Sequence, residues 1–312
     1  MKRIPILFIL LLAGCTAINK ANKFYDQGDY ETAIRESKLI LENDSTNVKA
    51  YLLLGRSYLA KGELKNAVDA LQTAYAITPT SVATKKAKAE LINAQAQLSD
   101  SLYNAKNYHR AIEGYEYVLE LDSTNIHALL KSGDIYYETG QLTKSRDMYQ
   151  KVLQYNEDNI QAIKKIQAID NRTAEAEEAY EAGVEYFNDY KYQAALKALE
   201  QALQKEPDHY DARYYRALAQ GCILYNKGGK DELWDAIEEF GKAMAIRPNA
   251  GEPHYYLALA YEKKDRREFE NAIREYRNYL EKDPDGEFAN QSRKKIKELT
   301  ELRNRLKEFW GK

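Results

Sequence analysis

The side chains best equipped for chemistry are few and scattered. His109, His127, His209 and His254 stand far apart, and no two have the spacing of a shared metal site. Cys222 sits in an apolar stretch, where a buried, inert thiol is expected. No nucleophile elbow, cysteine-histidine pairing or dinucleotide fingerprint occurs, and the run Tyr225-Asn226-Lys227-Gly228-Gly229-Lys230 lacks the preceding strand of a phosphate loop. Carboxylates are abundant, but on surface helices they face water, so no glycosidase pair follows without a cleft. The chain reads as a non-enzyme with no cofactor, no metal and no small-molecule substrate.

Tyrosine is the outlier, with 26 residues against 7 Phe and 2 Trp. Its amphipathic ring suits half-buried surfaces used for binding. The 46 basic and 48 acidic residues nearly cancel, which speaks against a nucleic-acid binder held by phosphate contacts. With 44% hydrophobic residues but only 15 Gly and 6 Pro in 312, the elements that carry these tyrosines must be helices.

Residues 1–14 have the form of a secretory signal: Lys2 and Arg3, then an apolar run from Ile4 to Leu12 too short to span a bilayer. Leu12-Ala13-Gly14-Cys15 resembles the bacterial lipobox, in which the cysteine is lipidated and becomes the first mature residue. That resemblance implies anchoring through Cys15, and Thr16 in place of the Asp of inner-membrane retention implies the outer membrane, facing the periplasm.

The rest of the chain repeats itself with a period of about 34 residues. In 48–81, Tyr51, Leu54, Gly55, Tyr58, Gly62, Ala67, Leu71, Ala74 and Pro79 match the tetratricopeptide pattern, and the chain is identified by them as similar to that family. Further copies carry Gly133, Tyr136, Gly140 and Tyr149, then Gly183, Ala195, Leu199 and Pro207, then Ala217, Ala236, Phe240 and Pro248, then Ala258, Ala272, Tyr276 and Pro284. The resemblance implies an all-α, right-handed α-solenoid of about seven helical hairpins, near 15–47, 48–81, 92–125, 126–159, 176–209, 210–250 and 251–285, closed by a capping helix over 286–312. The cap is basic, with eight Lys or Arg against four Glu. Asp44-Ser45-Thr46-Asn47 and Asp122-Ser123-Thr124-Asn125, which could pass for metal loops, have the residue types of helix N-caps.

Extra segments at 82–91 and 160–175 carry similar Lys-Lys elements that recur in the cap, so they are expected to end earlier blocks and divide the array in three. Asp170-Asn171 is the expected interruption of the second, long continuous helices being the alternative. The Gly228-Gly229 insertion is expected as a surface loop between the helices of repeat six.

In the family the first helix of each hairpin lines a groove. Carried over residue by residue, the resemblance puts Tyr25, Arg56, Tyr103, Asp134, Tyr137, Tyr180, Phe187, Tyr214 and Tyr255 on that lining. The expected partner is a protein or extended peptide, and the implied role is a membrane-anchored scaffold for protein-protein interaction in a cell-envelope assembly such as outer-membrane biogenesis, secretion or pilus formation. A Tyr-lined groove with carboxylates also suits a periplasmic polysaccharide or peptidoglycan binder.

Overall fold

The computed structural model describes residues 6–77, 82–264 and 269–310, with side chains from Thr16 to Phe309 within those spans. Pro79 and the side chain of Cys15 lie outside the described residues. Among those described there are fifteen α-helices and no strand: α1 (Ile6–Asp26), α2 (Tyr30–Asn43), α3 (Val48–Ala60), α4 (Leu64–Ile77), α5 (Val82–Asn104), α6 (Tyr108–Leu121), α7 (Ile126–Glu138), α8 (Leu142–Tyr155), α9 (Ile160–Asn188), α10 (Tyr192–Lys205), α11 (Tyr210–Lys227), α12 (Lys230–Ile246), α13 (Glu252–Lys264), α14 (Phe269–Lys282) and α15 (Ala289–Trp310).

Successive helices form the hairpins of an all-α solenoid, and the caps between them are local. Asn47 Oδ1 accepts the Ala50 N–H at 3.1 Å, and Asn125 Oδ1 accepts that of Ala128 at 3.0 Å. Each satisfies an orphan donor of the first helical turn, so both Asp-Ser-Thr-Asn runs are caps. Within hairpins the close crossings need a residue without a side chain. A Cβ on Gly55 would lie 2.5 Å from Leu71 Cγ, and one on Gly133 2.7 Å from Tyr149 Cε1. In repeat six Gly221 lies at such a crossing, where a Cβ would clash with Phe240 Cε1.

Both extra segments are helical and run unbroken into the repeats after them. Residues 82–91 are the first half of the 23-residue α5, and 160–175 open the 29-residue α9, which runs without interruption through Asp170-Asn171. Neither segment contains Gly or Pro to release the backbone. Ala87 and Leu91 nonetheless pack in one apolar cluster with Leu52, Ala67 and Leu71, so α5 covers repeat two before it continues into repeat three. The Gly228-Gly229 insertion also differs from expectation. It lengthens α11 to 18 residues and α12 to 17, and the turn between them narrows to the glycine pair, with Gly228 at φ 74°.

The chain divides into two compact units rather than three blocks: residues 1–139 with 143–166, and 140–142 with 167–312. The first extra segment lies inside the first unit. In the second unit one large core runs from Phe187 and Leu199 through Tyr214, Phe240 and Tyr276 to Leu299 of α15, the capping helix.

Candidate partner-binding faces

In the first unit three candidate rings, Tyr25 on α1, Tyr103 on α5 and Tyr137 on α7, are half-buried, and each is topped by a cation from a later helix. The Arg56 guanidinium lies 4.7 Å from the centre of the Tyr25 ring, Lys131 Nζ 4.6 Å from that of Tyr103, and Lys165 Nζ 5.6 Å from that of Tyr137. Arg56 is tied to Glu90 of α5 at 3.4 Å. Burial, with the Asp134 carboxylate nearby, pushes the Tyr103 hydroxyl above its ordinary range, so the ring stays neutral.

Asp134 is only 7% exposed, and its Oδ1 meets two donors. Tyr149 Oη donates to it at 2.7 Å from α8, and Lys165 Nζ at 2.8 Å from α9. Burial works against the Lys165 ammonium, but Asp134 outweighs it and holds the proton more tightly. The same arrangement recurs one repeat earlier, where Asp100 accepts Tyr115 Oη at 2.5 Å and faces His127 Nε2 at 2.8 Å. In the second unit Glu262 accepts Tyr276 Oη at 3.1 Å and Lys295 Nζ at 2.6 Å. Each of these three carboxylates on a first helix thus binds the second helix of its own hairpin and a group on the helix that follows that hairpin, which for Glu262 is the cap α15. Sequence reasoning missed these layers, although their signal is present: a Tyr follows Asp100 and Asp134 by fifteen residues and Glu262 by fourteen.

The second unit corrects three of the candidates. Phe187, Tyr214 and Tyr255 are 3%, 0% and 4% exposed and are core residues, not a lining. Phe187 packs against Tyr192 at 5.4 Å and Tyr215 at 5.6 Å, and Tyr255 stacks on Phe288 at 4.0 Å. Tyr214 lies under Arg247 at 4.3 Å and donates to Glu252 at 3.0 Å. Arg247, also unforeseen, is ion-paired with Asp211. Tyr180 alone of this group remains half-buried, held by His209 at 4.8 Å and Tyr215 at 6.2 Å between ring centres. Cys222 is 2% exposed, and burial pushes its thiol well up, so it is inert.

Tetratricopeptide repeat family models match residues 18–82, 102–169 and 180–220, together more than half of the chain. The chain belongs to the tetratricopeptide repeat (TPR) family. A TPR repeat-containing protein of Methanocaldococcus jannaschii is 24% identical over 299 residues, covering 78% of this chain and 52% of its own length. A DnaJ homolog subfamily C member 7 homolog of Dictyostelium discoideum is 24% identical over 251 residues, covering 75% of this chain and 44% of its own. The chain therefore spans about half the length of these relatives. Among solved structures, a TPR protein from Parabacteroides merdae shares 15% identity and a TM-score of 0.38, covering 93% of this chain and 99% of that one. TPR proteins are characteristically scaffolds for protein-protein interaction. Among the described residues no group of side chains is arranged to hold a metal ion.

Proposed function

We propose that this TPR protein is a lipid-anchored scaffold that presents its first-helix faces to protein partners within a bacterial cell-envelope assembly, at the outer membrane and facing the periplasm. The anchor rests on Leu12-Ala13-Gly14-Cys15 after a short apolar run. No helix among the described residues is long and apolar enough to cross a membrane. The first buried side chains described in α1 are Ile18 and Ala21, so cleavage before Cys15 leaves them in place. Several acyl chains on one cysteine meet the two-signal requirement for stable attachment.

The observation that carries the scaffold reading is the row of half-buried rings in the first unit. Tyr25, Tyr103 and Tyr137 present aromatic surface that costs little rotamer entropy to immobilise. Their faces are already taken by Arg56, Lys131 and Lys165, which weighs against sugar stacking and favours a peptide whose carboxylates or carbonyls meet those cations.

The test is crosslinking and mass spectrometry on the envelope fraction, comparing wild type with Tyr103→Ala/Tyr137→Ala and with Cys15→Ser. The double variant should lose specific protein partners, and Cys15→Ser should lose acylation and detergent partitioning. Unchanged partitioning refutes the anchor. Capture of the same partners by a folded double variant refutes the face.

A further inference from the structure

The second unit carries a surface that the first does not. Along α9, Glu177, Glu181, Glu185 and Asn188 are all exposed, with Asp189 just beyond the helix. Tyr180 and Val184 lie half-buried beside them, and Tyr180, Glu181, Val184, Glu185, Asn188 and Asp189 together line a shallow depression of about 370 Å³. Glu177 faces His209 at 3.3 Å and Asp189 pairs with Lys191 at 2.9 Å, whereas Glu181 and Glu185 form no ion pair among the described residues. Arg247 lies over the neighbouring Tyr214 and Tyr215 rings, reaches the Tyr180 hydroxyl and is ion-paired with Asp211, so it meets Tyr180 at its hydroxyl end and does not pair with Glu181 or Glu185.

The same face of α5 is different. With Tyr103 and Phe187 in equivalent places, Glu177, Glu181 and Glu185 correspond to Asn93, Gln97 and Ser101, and Tyr180 to Ala96. The repeat places Tyr214 and Tyr255 where α9 has Tyr180, but both are buried, and Glu181 and Glu185 correspond there to Tyr215 and Ala219, and to Tyr256 and Ala260, so the exposed acidic row beside a half-buried ring is a feature of α9.

We infer that the Tyr180–Val184 depression of α9 docks an extended cationic segment of a protein partner, with Lys or Arg at every second position. The inference rests on the scaffold reading above and gives it a partner chemistry. A helix rises about 1.5 Å per residue, so carboxylates four apart repeat about every 6 Å. An extended chain rises about 3.3 Å per residue and sends alternate side chains to one side, about 6.6 Å apart. The two periods match over the two steps from Glu177 to Glu185. Long Lys or Arg stems would lie on Tyr180 and Val184 with the charged heads at the carboxylates, as amphipathic side chains do at apolar surfaces. A Tyr face adds attraction for the cation, and His209 and Tyr215 already fix this ring. The carboxylates are strung out along the helix and form no cluster for a single metal ion.

The probe is a fluorescent decapeptide of alternating Lys and Ser, compared with the same composition in two blocks and with alternating Glu and Ser, by anisotropy on the full chain. The alternating cationic peptide should bind several-fold more tightly than the blocked one, the acidic one should not bind, and added salt should weaken binding. Glu181→Gln/Glu185→Gln should weaken binding about tenfold, and Tyr180→Ala should weaken it further. Both glutamates are exposed, so the double variant keeps its fold, and circular dichroism checks this. Equal affinity for the two Lys-Ser orders, or undiminished binding by the folded double variant, overturns the inference. Failure of every cationic probe while crosslinking still recovers partners at Tyr103 and Tyr137 overturns the inference and leaves the scaffold reading standing; loss of both sinks both.

Discussion

Tyr149→Phe removes one hydroxyl from a buried layer and nothing else. Its ring lies under Gly133 in the α7–α8 crossing, and Phe fills the same space. What is lost is a 2.7 Å donor to Asp134, a carboxylate 7% exposed whose other described donor is Lys165 at 2.8 Å, together with the hydroxyl's bond to Ser145, which keeps its bond to the Gly133 carbonyl at 2.8 Å. A hydrogen bond to a charged group contributes about 1.5–3 kcal/mol, and a carboxylate this buried has little access to replacement water, so the local cost should be about 2 kcal/mol. Tyr115→Phe is the internal control. Asp100 has a side chain 34% exposed, water can replace the lost donor, and the cost should stay below about 1 kcal/mol. Because a solenoid unfolds in pieces, a single melting temperature would blur this difference. Native-state hydrogen exchange of the α7 and α8 amides reads it directly: about 2 kcal/mol is roughly a thirtyfold faster exchange. In an Asp134→Ala background, Tyr149→Phe should cost much less, giving a coupling of about 1–2 kcal/mol. Equal effects at Tyr149 and Tyr115, or no coupling to Asp134, would refute the layer as a stabilising element.

Lys106 holds φ 58° at the turn between α5 and α6, where other turns have Gly28, Gly62 and Gly140 at φ 77–79°; Lys106→Gly should relieve about 1–2 kcal/mol of left-handed strain against about 0.4–1 kcal/mol of added unfolded-state entropy, a net gain of about 0.5–1 kcal/mol in urea unfolding. Glu252 is raised first by burial and further by Glu287 and Asp283, against the opposing donor Tyr214, so it opposes folding above its folded-state value; Glu252→Gln, which can still accept from Tyr214, should stabilise the second unit at neutral pH and lose that advantage in acid. Glu275 is the opposite case. Burial alone would raise it, but His254, Arg274 and Asn278 together hold it below the ordinary value of 4.5. Its contribution is therefore present above pH ~4.5 and lost as pH falls through the lower folded-state value. Denaturation of Glu275→Gln at pH 7 and in acid should show a smaller acid-induced loss than wild type.

Much of the fold is legible because TPR packing is written in small residues at fixed spacing. Gly55, Gly133 and Gly183 mark crossings that any larger residue would block, and the Asp-Ser-Thr-Asn runs mark helix starts through purely local hydrogen bonds. Where period alone guided the reading, it slipped. In repeat six the insertion lengthens both helices, and Gly221, which packs under Phe240, is not among the residues the period picks out. The Lys-Lys elements do resemble the cap, but a helix without Gly or Pro has no reason to stop once it has covered its neighbour. The candidate faces were less legible. Equivalent positions give Tyr25 and Phe187 the same expectation, yet one is half-buried and the other 3% exposed, because burial depends on what the next helices bring and not on the residue itself.

That dependence separates rings that can bind from rings that only pack. Around Tyr255 and Phe187 the neighbours are other rings, and Tyr214, though also under Arg247, is fully buried against Tyr215, so exposing any of them would forfeit apolar contacts worth several kcal/mol in aggregate. Tyr25, Tyr103 and Tyr137 stay half-buried, and although Tyr25 meets Tyr30 and Tyr103 meets Tyr108, the covering groups include the ends of Arg56, Lys131 and Lys165. A cation on a partly exposed ring contributes only about 0.5–1 kcal/mol, and a flexible side chain can move without disturbing its helix. A partner that supplies an anion to the cation as it covers the ring would offset that loss. The cations thus keep the aromatic surface from lying bare without closing it, whereas Lys165, already bound to Asp134, should yield last. Arg56 is tied to Glu90, whereas Lys131 over Tyr103 has no such carboxylate among the described residues, so Tyr103 should admit a partner more readily than Tyr25 or Tyr137, an order that single Ala substitutions at the three positions would expose in binding measurements.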